Sequence, residues 1–218
     1  MPAAVRVREG VEGVVGIHAE VLRGDEDGPG GAEADIAAAV SDRARSDRGR
    51  GVIYGNGKVS NCLVVGNLTQ VKDSPIVNLT GNGVLENCTI VENEAHGSTC
   101  MHLKASASAK VVNCVFARNT LNGEPAQVVS ADATVFAGCA SDTAALGDDG
   151  LVATAAELFK DAAHGNWEPR AGSPLVNGGV EPSVAVDSDF LGRPRVANGA
   201  IDVGAYELDL SVFDFSLA

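Results

Sequence analysis

Residues 61–67 read NCLVVGN, residues 87–93 read NCTIVEN and residues 113–119 read NCVFARN. The three copies are 26 residues apart, and a shorter fourth copy, GCASD, occupies residues 138–142. A fixed period of this length is typical of a protein built from stacked structural repeats. The fold is therefore predicted from this repeat first, and the rest of the chain is interpreted around it.

Inside each repeat, apolar residues alternate with polar ones over short runs that glycine and asparagine interrupt. This is the period of a β-strand and not of a helix. One such unit cannot bury its own apolar face, but stacked units can, because each strand pairs with its equivalent one coil later. The sequence therefore predicts an all-β, single-stranded parallel β-helix with about 26 residues per coil.

Stacking would turn the repeated residues into structural columns. Thiols would pack in the interior as small apolar groups, and asparagines would occupy a tight turn, where they tolerate a left-handed backbone. The predicted columns are Cys62, Cys88, Cys114 and Cys139, and Asn61, Asn87 and Asn113. We expect Asn87→Ala to destabilise the protein more than Asn67→Ala. The five cysteines are odd in number and lack CxxC spacing, so we expect reduced thiols, no metal and no cofactor.

The chain divides into three segments. Residues 1–50 are predicted to form an irregular first coil with a flexible loop over 24–31 and a short helix over 32–45, where Ile36 and Val40 have helical spacing. Residues 51–145 form the regular coils, and residues 146–218 form a loop-rich C-terminal capping segment. In the cap we expect Trp167 to be buried and Arg195 to reach Asp202 or another carboxylate.

Composition excludes some functions. The chain has 16 basic and 29 acidic side chains and a net charge of −13, which disfavours nucleic acid and anionic membranes as partners. It has no apolar run of the roughly 20 residues that a membrane span needs. The first residues, MPAAVRVREG, lack the apolar stretch of a signal peptide.

The repeats resemble the right-handed parallel β-helix coils of pectate-lyase-like proteins. Residues 168–179, EPRAGSPLVNGG, residues 189–195, DFLGRPR, and residues 201–207, IDVGAYE, resemble the C-terminal signature of choice-of-anchor Q domain proteins. Those are exported or surface-anchored bacterial proteins, so the resemblance implies a right-handed coil and an extracellular or cell-surface location. It implies little about activity.

In pectate-lyase-like folds the substrate lies along one sheet. The candidate strands here are 52–54, 77–80, 101–104 and 128–130, and strict alternation points four of their side chains outward: Asn78, Thr80, His102 and Lys104. His102 or Lys104 could then take the proton alpha to a uronate carboxylate. The alternatives are a solvated strand face and a metal site of His102 with His96. The carboxylate pair that glycoside hydrolysis needs is not apparent.

These observations favour an exported or surface-exposed module that acts as a non-catalytic scaffold, an adhesin or a glycan-contacting surface. A polysaccharide lyase or hydrolase is the first alternative. A subunit of a larger surface assembly, self-associating through an open N-terminal end of the stack, is the second. The expected partners are a polysaccharide or another surface protein.

Overall fold

The computed structural model describes residues 53–208, apart from 71–72, 99, 128, 182–186 and 198. Before residue 53 it describes three short strands, at 36–37, 40–42 and 45–46. The loop predicted at 24–31 lies outside the described residues.

The described chain winds through coils of short strands joined by tight turns. The first coil contains β1 (Ile36–Ala37), β2 (Val40–Asp42) and β3 (Arg45–Ser46). The next contains β4 (Ile53–Gly55), β5 (Lys58–Ser60), β6 (Leu63–Val65) and β7 (Leu68–Thr69). It is followed by β8 (Pro75–Leu79), β9 (Val84–Glu86), β10 (Thr89–Val91) and β11 (Glu94–Ala95). The fourth contains β12 (Met101–Ala105), β13 (Lys110–Val112), β14 (Val115–Ala117) and β15 (Thr120–Leu121).

The stack ends in shorter strands and a mixed C-terminal segment. The strands are β16 (Glu124–Pro125), β17 (Val129–Ser130), β18 (Phe136–Ala137), β19 (Ala140–Ser141) and β20 (Leu151–Val152). The C-terminal segment, residues 155–208, begins with helix α1 (Ala155–Leu158), β21 (Phe159–Asp161) and β22 (Asn166–Pro169). Single 3₁₀ turns lie at Ala133–Val135 and Ala162–His164.

Equivalent strands of successive coils pair in parallel and in register. Four sheets result: sheet I (β1-β5-β9-β13-β18), sheet II (β2-β6-β10-β14-β19-β20), sheet III (β3-β7-β11-β15-β16) and sheet IV (β4-β8-β12-β17). The exception to parallel pairing among them is β16, which is antiparallel to β15. In sheet II, Thr89 pairs with Leu63 on one side and with Val115 on the other. The predicted fold class is confirmed: the chain is all-β, with parallel sheets stacked at about 26 residues per coil.

The interior contains the repeated apolar residues and the thiol column. All five cysteines are free and buried, and the four repeat cysteines belong to the main core cluster. Cys88 donates to the carbonyl of Glu86 at 3.2 Å and Cys114 to that of Val112 at 3.3 Å. Burial raises the pKa of the Cys114 thiol, and a thiolate there would face a carbonyl oxygen. These thiols are therefore packing groups.

The first asparagine column lies where each coil turns from sheet I to sheet II. Asn61, Asn87 and Asn113 have φ of 50°, 50° and 51°, and Gly138 takes the same left-handed conformation in the fourth copy, at 59°. Asn113 Nδ2 donates to Asn87 Oδ1 at 3.1 Å. Asparagine and glycine recur here because they adopt this backbone at low cost.

A second asparagine column, which the sequence analysis did not single out, is bonded more extensively. Asn67 Nδ2 donates to Asn93 Oδ1 at 2.8 Å, and Asn93 Nδ2 donates to Asn119 Oδ1 at 3.0 Å. All three side chains are buried. This column closes the turn after sheet II. The expectation that Asn87→Ala destabilises the protein more than Asn67→Ala assumed a weakly bonded Asn67, whereas Asn67 is buried and hydrogen-bonded.

The predicted helix over 32–45 is wrong, because strands β1 to β3 occupy this stretch. Ile36 pairs with Val59 and Val40 with Leu63, so the first coil stacks directly on the second. Their partners Val59 and Leu63 are also four residues apart, one on each side of the turn from sheet I to sheet II. Pairing with the next coil therefore overrides the helical propensity of the segment.

The C-terminal segment lies against the outer face of sheet II. Leu63, Val91 and Val115 point out of that sheet into a second apolar cluster. The segment contributes Leu158, Phe159, Trp167, Leu175, Val203 and Tyr206. Trp167 is 3% exposed and packs edge-on against Phe159, with ring centroids 5.2 Å apart. The segment thus covers one side of the stack, and Leu146 packs against the last layer of the main core.

Candidate functional site

One row of aligned side chains crosses the strands of sheet IV. Tyr54 pairs with Asn78, Asn78 with Lys104, and Lys104 with Ser130. Tyr54 is 46% exposed, Lys104 and Ser130 are exposed, and Asn78 is half-buried. Because paired strands are about 4.8 Å apart, the row presents one side chain per coil along the axis of the stack.

The prediction that His102 lies on this outward face is wrong. Its side chain is fully buried, at 0% exposure. Its Nε2 atom lies 2.9 Å from the carbonyl oxygen of Thr120 and 3.2 Å from that of Asn93. The pairs Met101–Pro75 and Leu103–Val77 flank His102 and Ile76, and Ile76 is also fully buried, so both side chains face inward where the strands begin. Strict alternation therefore fails at the start of β8 and β12.

Of the remaining predicted residues, Asn78 and Lys104 lie together in the aligned row, and Thr80 is half-buried just after β8. Tyr54 belongs to a strand that the sequence identified, but it was not selected as a ligand contact. Its signal was an aromatic residue at an outward position in a chain with only 4% aromatics.

His102 is not suited to act as a base. Nε2 faces carbonyl oxygens, which only accept hydrogen bonds, so this nitrogen carries the proton. Burial also lowers the pKa of His102. A metal site with His96 is not supported, because His96 Nε2 pairs with Glu94 Oε1 at 2.7 Å and no ligand cluster of three forms in the described part of the chain.

Buried His102 should make the protein sensitive to acid. Because burial lowers its pKa below the ordinary 6.5, the unfolded chain takes up a proton that the folded protein resists. The free energy of unfolding should therefore fall as the pH drops below about 6.5. Urea unfolding at about pH 5 and about pH 7 should show a smaller difference for His102→Gln than for the wild type. His96→Gln, at an exposed site, is the control, and an unchanged difference in His102→Gln would contradict the interpretation.

A cluster of buried charges lies within the C-terminal segment. Arg195, Asp189, Asp202 and Glu207 are each at most 1% exposed. Arg195 reaches Asp202 through its backbone: Nη2 donates to the carbonyl oxygens of Asp202 at 2.7 Å and Gly204 at 2.6 Å. Its guanidinium also pairs with a carboxylate, with Nε 3.8 Å from Glu207 Oε2.

The same segment is bonded to the stack through its backbone. The Gly204 amide donates to the carbonyl of Asn113 at 2.8 Å, and the Ala205 amide donates to Thr89 Oγ1 at 3.0 Å. A Cβ atom on Gly204 would lie 2.8 Å from Thr89 Oγ1. Glycine at position 204 therefore allows the segment to approach sheet II closely. The charge cluster connects parts of the segment to one another.

Comparison with known proteins adds no assignment. No protein-family model matches the sequence, and no curated protein matches it. In the part of the chain that the structure describes, no helix has the length and hydrophobicity of a membrane span. The strand pairing of the structure establishes the parallel β-helix. The finer resemblance to pectate-lyase-like and choice-of-anchor Q proteins remains a prediction.

Proposed function

We propose that the protein is a non-catalytic, surface-exposed β-helix that binds an extended polysaccharide along sheet IV. The observation that carries this proposal is the aligned row of Tyr54, Asn78, Lys104 and Ser130. The outer face of sheet II is covered by the C-terminal segment, so it is not open to a ligand. The location follows from the resemblance to exported choice-of-anchor Q proteins.

The chemistry of the row suits a polymer rich in hydroxyl groups. Tyr54 offers an aromatic face and a hydroxyl group, Asn78 offers both a donor and an acceptor, and Lys104 offers a cation. A ligand that runs along the stack meets a new side chain about every 4.8 Å. Many weak contacts of this kind add up along a repetitive chain.

The non-catalytic part of the proposal rests on His102. A lyase needs a base that can reach the substrate, and the buried imidazole of His102 points to carbonyl oxygens. Lys104 then remains as a lone cation on the row, in a position to bind a carboxylate group.

Affinity electrophoresis in gels that contain a neutral β-glucan or a polyuronate tests the binding. Tyr54→Ala and Lys104→Ala should each weaken retardation by about fivefold to tenfold. Lys110→Ala removes another exposed lysine, one on sheet I, and should have no effect. Loss with both polymers for Lys104→Ala would indicate general contact, and loss with the polyuronate alone would indicate carboxylate recognition. Equal retardation of all variants, or release of unsaturated uronates, would contradict the proposal.

A further inference from the structure

The buried charges of the C-terminal segment are unequally compensated. Asp189 Oδ2 accepts hydrogen bonds from Arg193 Nε and from the Glu207 amide, both at 2.8 Å. Asp189 Oδ1 accepts from the Leu191 and Arg193 amides, also at 2.8 Å. This carboxylate is therefore fully satisfied in its ionised form.

Asp202 is also well satisfied. Its Oδ1 accepts from the Asn177 amide and its Oδ2 from the Leu208 amide, each at 2.7 Å. Short bonds from backbone amides favour an ionised carboxylate. Burial raises the pKa of Asp202, while these two backbone bonds and the charge of Arg195 act in the opposite direction. Because Asp202 receives shorter hydrogen bonds than Glu207, we assign the negative charge of the pair to Asp202.

Glu207 is the exception. Its two oxygens share the Asp202 amide, each at 3.2 Å, and the Ala197 amide contributes a further backbone bond. The nearest cation is Arg195, with Nε 3.8 Å from Oε2, and the guanidinium already donates through Nη2 to two carbonyls. Among the described residues, the charges that act on Glu207 are those of Asp202 and Arg195. Asp189 accepts from the Glu207 amide and is itself paired with Arg193.

The sheet beneath does not compensate this charge. Around Gly204 and Ala205 the segment meets Thr89, Asn113 and Val115 of the stack, which carry no charge. Burial and the neighbouring negative charge of Asp202 raise the pKa of Glu207 to about 8. At neutral pH the side chain is therefore mostly a neutral acid in the folded protein.

We propose that Glu207 is a proton-dependent latch: its protonated side chain keeps the C-terminal segment on sheet II, and loss of the proton loosens the segment. The direction follows from linkage. Glu207 keeps its proton in the folded protein, whereas in the unfolded chain it loses the proton near the ordinary glutamate pKa of 4.5. Attachment is thus strongest at acidic pH and weakens as the pH rises towards and through about 8. Loosening exposes the apolar outer face of sheet II, at Leu63, Val91 and Val115.

Trp167 is a built-in probe of this change. It is the single tryptophan of the chain, and it is buried in the apolar cluster that the segment shares with sheet II. In the full-length wild type, acrylamide quenching of its fluorescence should rise at least about twofold between about pH 6 and about pH 9. In Glu207→Gln, which keeps the shape and loses the titration, quenching should stay at its low value.

Two further variants keep the test decisive. Glu168→Gln changes a more exposed carboxylate of the same segment, paired with Lys160 and Arg193, and should titrate like the wild type. Asp202→Asn removes the neighbouring negative charge and should shift the midpoint of quenching to a lower pH. The same pH curve in the wild type and Glu207→Gln, or no change with pH in the wild type, would overturn the latch. An unshifted midpoint in Asp202→Asn would also count against it.

Discussion

A chain that ends at Ala153 is expected to aggregate, whereas a chain that ends at Leu208 should elute as the full-length protein does. The shorter chain retains β1 to β20 but exposes the outer apolar face of sheet II at Leu63, Val91 and Val115. Each large side chain that no longer packs there forfeits about 1.5–3 kcal/mol. The shorter chain loses five such side chains together: Leu158, Phe159, Trp167, Leu175 and Tyr206. The sum of their packing free energies is comparable with the whole stability of a domain, about 5–15 kcal/mol.

Size-exclusion chromatography with light scattering measures the outcome for both chains. The chain that ends at Ala153 should elute as aggregates and bind a hydrophobic dye, because contiguous apolar strands favour association. The chain that ends at Leu208 is the matched control, since it keeps every described residue of the C-terminal segment. A monomeric shorter chain with an unchanged melting temperature would show that the segment is dispensable for the stack.

The repeat predicted the stack because its information is local and redundant. The motif at 61–67 returns at the same offset in the next coils, and the strands of sheet II pair at that offset. The first coil lacks the motif, and the spacing of Ile36 and Val40 suits both a helix and a coil turn. Which of the two forms depends on pairing with Val59 and Leu63, and no single segment carries that information.

The candidate site was predicted only in part, for a geometric reason. Asn78 and Lys104 were placed correctly on an outward row because β8 and β12 alternate regularly in their second halves. His102 contacts the carbonyl of Thr120 in sheet III. Ile76 and Val77 of β8, and His102 and Leu103 of β12, are buried at successive positions, so both faces of these strands are buried there. Alternation predicts side-chain orientation in a strand with one solvent-exposed face, so it cannot identify a strand end that is buried on both faces.

The role of the C-terminal segment depends on still longer-range contacts. Asn61 Nδ2 donates to the carbonyl of Ser188 at 2.6 Å, and Asn113 Nδ2 donates to that of Val180 at 2.8 Å. The asparagine column was predicted as a set of turns, and its use as an anchor for a segment 67 residues or more away could not be inferred from the repeat. Burial of Trp167 could be predicted, but not which face buries it.

Asn93→Ala is expected to be the most damaging single substitution within the coils, costing about 3–5 kcal/mol of unfolding free energy. Asn93 Oδ1 accepts from the Asn67 amide at 3.0 Å and from Asn67 Nδ2 at 2.8 Å. Its Nδ2 donates to the carbonyl of Val64 at 2.9 Å and to Asn119 Oδ1 at 3.0 Å. Alanine removes all four bonds and leaves buried partners on both neighbouring coils without them, so the cost reaches beyond one pair.

Urea unfolding at neutral pH measures this cost, and Asn82→Ala is the matched control. Asn82 lies in an exposed turn, so its replacement should change the free energy of unfolding by less than about 0.5 kcal/mol. Asn93→Asp separates hydrogen bonding from packing, since it keeps the shape and the acceptor but loses the Nδ2 donor. Because the carboxylate would be buried, Asn93→Asp should be least stable at neutral pH and recover towards acidic pH, where the acid becomes neutral. If Asn93→Ala and Asn82→Ala unfold at the same urea concentration, the second asparagine column is not the element that holds the coils in register.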